Sequence, residues 1–135
     1  MKISSKGRYA VRIMAELARN KNEFVSVNEM SEKQGITSKY LEQIFALLSK
    51  SNLVISARGS AGGYKLAVEP EKCSIAEILK ATDDLPELAP CLVKGRECPR
   101  VNSCDSIDYW DKLSKLIVDY LSDISIEDIV KKNKV

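Results

Sequence analysis

Histidine is missing altogether from these 135 residues. Its absence removes both the commonest general base and the commonest zinc ligand. No glycine-rich phosphate loop follows a strand, so nucleotide hydrolysis finds no support. No nucleophile stands beside a base, and the chain is expected not to be an enzyme. No apolar run is long enough to span a bilayer. The basic start, Met1-Lys2-Ile3-Ser4-Ser5-Lys6, lacks the apolar core of a signal peptide. A cytoplasmic location with no membrane partner is therefore expected. There is no internal repeat.

What is present is a chain with ordinary apolar content, 44%, so it has the means to fold. Its length suits one compact domain or a small domain with a dimerising extension. The formal net charge of +2 hides an uneven distribution. Through Leu66 there are 11 Lys and Arg against 5 Asp and Glu; from Ala67 onward there are 10 against 14. A basic front half fits a polyanion partner, the alternative being a solvated face with uneven charge. The 4 cysteines, in a chain expected to stay in a reducing compartment, point to metal binding or redox chemistry rather than a disulfide framework.

Periodicity places the elements. Ala10, Ile13, Met14, Leu17 and Ala18 form one helical stripe. Ser26-Val27-Asn28-Glu29 fits a capping box that opens a second helix, stopped by Gly35. Thr37 or Ser38 can cap a third, with Leu41, Ile44, Phe45 and Leu48 as its apolar face. Two helices with a glycine between them match a helix-turn-helix. Leu53–Ala57 and Tyr64–Val68 then read as strands around the turn Arg58-Gly59-Ser60-Ala61-Gly62-Gly63. Ser74-Ile75-Ala76-Glu77 is a second capping box, opening a helix to about Thr82. From Asp83 to Cys104 periodicity vanishes, and a structureless stretch that long usually carries function or disorder. A long helix is expected from Asp105 or Ser106 to about Ser122. A last short helix follows from Ser125, then a basic tail with Lys131, Lys132 and Lys134.

The predicted fold class is mainly α with a small β-hairpin wing: a winged helix-turn-helix plus a long C-terminal dimerisation helix. Residues 1–68 would be the DNA-binding domain, 69–104 a linker helix and cysteine-bearing sensor loop, and 105–135 the dimerisation helix and C-terminal helix. On the long helix Trp110, Leu113, Ile117, Tyr120 and Ile124 are spaced as a coiled-coil seam. The stripe could pack back on its own domain. A small winged helix leaves little core to cover it, which favours a homodimer.

Two constellations carry chemistry. The second helix of a helix-turn-helix enters the major groove with its first turns facing base edges. Here those turns present Thr37, Ser38, Lys39, Tyr40, Glu42 and Gln43. Hydroxyls and Lys suit phosphates, Gln suits adenine, and Glu accepts from cytosine. Arg58, next to Gly59 on a thin turn, is either an ordinary surface residue or a guanidinium placed to enter a narrow minor groove. The other constellation is Cys91-x6-Cys98-x5-Cys104. Soft thiolates suit an iron–sulfur cluster or zinc. Zinc prefers four ligands at closer spacing, and a redox disulfide stays open. The lone Cys73, at a strand-to-helix junction, reads as a small packed residue.

The segments Met1–Val11, Tyr40-Leu41-Glu42-Gln43-Ile44-Phe45 and Arg58–Tyr64, with the cysteine triplet, resemble the Rrf-type winged-helix transcription regulators along essentially the whole chain. The resemblance implies a homodimer on a roughly palindromic double-stranded operator, with the helix from Asp105 to about Ser122 as the interface. It implies DNA contacts at Ser38, Tyr40, Glu42, Gln43, Arg58 and Gly59. Members of the branch with three cysteines in this loop bind a [2Fe–2S] cluster, and those cysteines match Cys91, Cys98 and Cys104. That branch takes its fourth ligand from a histidine three residues past the last cysteine, where this chain has Ile107. A nitric-oxide-sensing branch uses an acid near the N-terminus, where this chain has Arg8. Asp108 or an exogenous ligand is the expectation for the fourth position.

The leading functional expectation is a regulator, as a repressor, of iron–sulfur biogenesis or cysteine and sulfur metabolism, gated by cluster loading. The alternatives are a cluster-free sulfur-metabolism repressor acting through a partner enzyme or thiol oxidation, and an iron–sulfur carrier or protein-interaction module. Expected protein partners are iron–sulfur assembly proteins or a cysteine-synthesis enzyme.

Overall fold

The computed structural model describes residues 2–92 and 98–132. Met1, Lys134 of the basic tail and the middle of the cysteine-bearing segment, 93–97, lie outside the described residues.

All but one of the α-helices begin where a short polar side chain satisfies a free backbone N–H; the long helix after the cysteines, whose cap residue is Ser106, has no such bond. Helix α1 (Ser5–Arg19) is capped by Ser4, whose Oγ accepts from Gly7 N–H at 3.2 Å. It starts five residues before the apolar stripe does, because the cap and not the first apolar residue sets the boundary. Helix α2 (Val27–Gln34) is capped by Ser26, which accepts from Glu29 N–H at 3.1 Å, and ends at Gly35 with φ 68°. Helix α3 (Ser38–Lys50) is capped by Thr37, which accepts from Tyr40 N–H at 3.3 Å.

The hairpin follows. Strands β1 (Val54–Ala57) and β2 (Gly63–Leu66) pair antiparallel, Val54 opposite Leu66 and Ala57 opposite Gly63. The second strand stops two residues short of the expected Val68. Tyr64 also exchanges both backbone hydrogen bonds with Val25, each at 2.8 Å. The chain between α1 and α2 therefore adds one rung to the wing, a pairing the sequence did not signal. Gly63 permits it: its φ is 143°, and a Cβ there would run into Val25 O.

Helix α4 (Ile75–Ala81) is capped by Ser74. One-turn 3-10 helices at Pro70–Lys72, Pro90–Leu92 and Val101–Ser103 punctuate the remaining connections. Helix α5 (Ile107–Ser122) is the longest, and α6 (Ile126–Lys132) closes the described chain. Backbone bonds from Ile75 N–H to Ile124 O and from Ile126 N–H to Cys73 O, both 2.9 Å, tie the starts of α4 and α6 together.

One core results. Ala10, Ile13, Met14 and Leu17 of α1 pack with Met30, with Leu41, Ile44, Phe45 and Leu48 of α3, and with Cys73, Ile78 and Ile126. Phe45 lies flat on Tyr64, ring centroids 4.0 Å apart, locking the wing to α3. Ile126 is fully buried, so the chain returns to the winged helix after α5.

Candidate functional site

The apolar face of α3 is spent on the core, which leaves its other face to solvent. Thr37, Lys39, Glu42 and Gln43 are exposed, while Ser38 and Tyr40 are half-buried. Tyr40 meets Tyr9 edge to face at 5.8 Å, and the Arg12 guanidinium lies 5.3 Å from the Tyr9 ring centre. Arg12 also donates to Gln34 O at 2.7 Å and Gln34 Oε1 at 3.1 Å, so α1 braces the end of α2 just before the turn. Between the start of α1 and α3 lies an open groove of about 550 Å3, lined by Ser4, Lys6, Thr37, Lys39, Tyr40 and Gln43. Sequence reasoning found its α3 side and missed Ser4 and Lys6. Only the tertiary fold brings the start of α1 to α3, although Lys6 was already visible in the basic front half.

Arg58 follows β1 directly and is exposed at the shoulder of the wing, beside exposed Gly59. The turn is closed by Gly62 N–H donating to Gly59 O at 3.0 Å. Arg58 therefore stands on a narrow, hydrogen-bonded projection rather than on a floppy loop.

The cysteines are four free thiols in contrasting settings. Cys73 is fully buried, and burial, with the Glu77 carboxylate nearby, pushes its thiol up to about 12. It is a packed residue with no ligand character. Cys91 is half-buried on the turn Pro90–Leu92, which rests against α5. Cys98 is exposed, its Sγ accepting from Arg100 N–H at 3.4 Å. Cys104 is exposed and lies 3.4 Å from Ser106 Oγ; that hydroxyl, with backbone N–H groups, holds its thiol below the ordinary range.

Among the described residues, no three Cys, Asp or Glu side chains are gathered as a metal site. Helix α5 starts at Ile107, and Cys104 is extended (φ −83°, ψ 121°), so Asp108 does not sit one helical turn from Cys104. Asp108 is instead an exposed acid in the first turn of α5. The donor chemistry nevertheless fits an iron–sulfur cluster. Three accessible thiols lie on irregular backbone, one of them already acidified.

Helix α5 buries none of its residues fully. Tyr109, Leu113, Leu116 and Tyr120 are 68, 42, 66 and 67% exposed, spaced 4, 3 and 4 along the helix, with Trp110 beside them at 44%. Of the expected seam, Trp110, Leu113 and Tyr120 lie on this stripe. Ile117 is half-buried at its edge, and Ile124 falls beyond the helix. Tyr109 and Leu116 were not singled out, because two overlapping heptad stripes run along this helix. Which one faces its own domain is a tertiary fact.

Residues 3–132 match the Rrf2 family, described as iron-dependent transcriptional regulators. The chain belongs to the Rrf2 family. It is a DNA-binding transcription regulator, and the Rrf2 relatives are regulators rather than enzymes. It is 38% identical over 136 residues to the HTH-type transcriptional regulator IscR of Vibrio campbellii, spanning all of this chain and 80% of that protein. The corresponding regulator of Xenorhabdus nematophila is 39% identical over 137 residues, at 100% and 82% coverage. Among solved structures, IscR of T. potens superposes with a TM-score of 0.79 at 31% identity, covering 99% of this chain and 89% of that one. CymR, the global cysteine regulator of B. subtilis, superposes with a TM-score of 0.78 at 27% identity and 99% coverage of both chains. In this Rrf2 chain the winged helix, the thiol-bearing segment and α5 follow in that order. Among the described residues no helix is long and apolar enough to cross a membrane.

Proposed function

We propose that this Rrf2 regulator is a cytoplasmic homodimer that represses from a two-fold operator, and that Cys91, Cys98 and Cys104 hold an iron–sulfur cluster that sets its grip on DNA. The supporting observation is the position of the thiols: three accessible ones lie between the winged helix and the exposed stripe of α5. Residues 1–68 read DNA, 69–104 sense, and 105–135 pair two copies. Thr37, Ser38 and Lys39 bind phosphates at the head of α3, and Glu42 and Gln43 face bases. Tyr40 supports them, and Lys6 adds a phosphate contact from the first turn of α1. Arg58, with Gly59 allowing close approach, enters the minor groove.

Trp110, Leu113, Ile117 and Tyr120, with Tyr109 and Leu116, form the dimer contact. The cluster, when bound, supplies a redox-sensitive centre that needs soft, deprotonated ligands. The chain's part is to bring three thiols to one point. The turn that carries Cys91 rests against α5, so that convergence would bear on the helix which spaces the two reading heads. The heads must match about one turn of DNA, so a small change in spacing lowers affinity. A [2Fe–2S] cluster with Asp108 or an exogenous ligand as fourth donor fits the three-thiol set. The regulated genes would serve iron–sulfur biogenesis or cysteine metabolism. Iron–sulfur assembly proteins or a cysteine-synthesis enzyme would be the protein partners.

The test is anaerobic reconstitution of wild type and Cys98→Ser, followed by visible absorption, iron and sulfide counts, and duplex selection on the same samples. The expected result is a cysteine-dependent chromophore and a different duplex affinity with and without it. No chromophore in wild type removes the cluster. A second reading, a cluster-free regulator working through thiol oxidation or a partner enzyme, draws on the missing histidine and the likeness to CymR. Equal affinity of loaded and unloaded protein would favour it.

A further inference from the structure

The first turn of α1 is completed by a residue 80 positions away: Ser4 N–H donates to Asp84 Oδ2 at 2.7 Å. In a capping box the cap residue's N–H is accepted by the side chain three positions on. Helix α6 shows the local form, with Asp128 N–H donating to Ser125 Oγ at 3.1 Å and Ser125 N–H to Asp128 Oδ2 at 3.0 Å. In α1 the third position is Gly7, and the first turn holds no acid. Asp84 takes that role from the end of α4. Gly7 is buried, and a Cβ on it would collide with the Asp84 carboxylate, so the two residues share one volume. The carboxylate also faces the positive end of the α1 dipole.

Asp84 is itself held. Thr82 is buried, its hydroxyl donating to Ile78 O and Leu79 O at 3.3 Å. Asp83 takes a left-handed conformation with φ 54°, and Asp84 N–H donates to Leu79 O at 2.7 Å. Asp84 thus stands at the root of the segment that leads to Cys91. Its partner Ser4 lines the groove shared by Lys6, Thr37, Lys39, Tyr40 and Gln43.

We propose that Asp84 is a positioning residue for DNA binding: it completes the α1 capping box from across the fold and so holds the first turn of α1, which carries Lys6, in place beside the recognition helix. The proposal rests on the reading of that groove as a DNA-facing surface. Without the carboxylate, Ser4 N–H loses its acceptor and the first turn of α1 frays. Lys6 must then be ordered at the moment of binding, which lowers affinity.

The test uses the full chain and duplexes that wild type selects from a random-sequence pool. Binding is measured over a salt series, below the melting range, for Asp84→Ala, Asp84→Asn, Lys6→Ala and Asp84→Ala/Lys6→Ala. Asp84→Ala is expected to weaken binding about three- to tenfold, the ordering cost of one long side chain. Its salt slope should shrink by about one, the equivalent of a lost phosphate contact. Asp84→Asn, which keeps an oxygen in place, should fall between, and the double variant should bind no worse than Lys6→Ala. Additive losses would overturn the proposal. So would Asp84 variants that melt lower but bind with wild-type affinity and slope, since the role would then be structural only. If Asp84→Ala does not fold, Asp84→Asn carries the same comparison in the Lys6→Ala background. Wild type that selects no duplex ends the DNA-face reading and this proposal together. Wild type that binds while Lys6→Ala has no effect ends this proposal alone.

Discussion

Environment alone separates the thiols of Cys73 and Cys104. Burial, then the Glu77 carboxylate, raises Cys73 from its ordinary value of 9.0 to about 12. The Ser106 hydroxyl lowers that of exposed Cys104. Iodoacetamide at neutral pH should therefore label Cys104 and spare Cys73 in the native protein, and Ser106→Ala should slow labelling at Cys104 because less thiolate is present. Mass spectrometry of peptides reads both outcomes. A pH effect on stability follows from Cys73. Above pH 9 the unfolded chain gives up a proton that the folded one keeps, so stability present below about 9 falls as pH climbs toward 12. Urea unfolding of Cys73→Ala should show that alkaline limb flattened. The placement of Cys73 at a junction marked it as a packed residue. Its full burial depends on α6 returning to the core, which no local pattern announces.

At the scale of elements, the caps were readable and the pairings were less so. Ser26, Thr37, Ser74 and Ser125 each marked a helix start, because the N–H groups they satisfy lie within three residues. The rung between Val25 and Tyr64 was invisible, since it joins residues separated by two helices. It makes the wing testable. Gly63→Ala adds a Cβ against Val25 O at a left-handed φ, and should cost about 2 kcal/mol of stability in denaturant titration. Arg58→Ala touches no such contact and should leave stability within about 0.5 kcal/mol of wild type. It should weaken duplex binding by about 1–3 kcal/mol if Arg58 reads sequence. Wild-type affinity for Arg58→Ala across a salt series would mean that the wing does not engage DNA.

For the molecule as a whole, the exposed stripe on α5 is the surface on which the proposed dimer rests. Burying a large apolar side chain contributes roughly 1.5–3 kcal/mol, and Tyr109, Leu113, Leu116 and Tyr120 lie in line. Leu116→Glu puts a charge at the middle of the stripe, and sedimentation should then show a monomer that keeps its helical content. Leu116 is 66% exposed in a single chain, so the folded monomer should tolerate the change. A Leu116→Glu protein that stays dimeric would move the interface away from this face. Binding to a two-site duplex should fall in the monomer far more than binding to a half-site.

The sequence by itself determined the order of the α-helices and strands, the starts of α2, α3, α4 and α6, the polarity of each face of α3 and the residue types available for chemistry. Caps and periodicity act over three or four neighbours, and composition needs no geometry at all. Tertiary structure alone decided which stripe of α5 stays bare, that Lys6 shares a groove with Lys39, and that Asp84 serves a helix 80 residues upstream. Those outcomes depend on distances between segments that the chain connects only through the core, so they exist only once the core has closed.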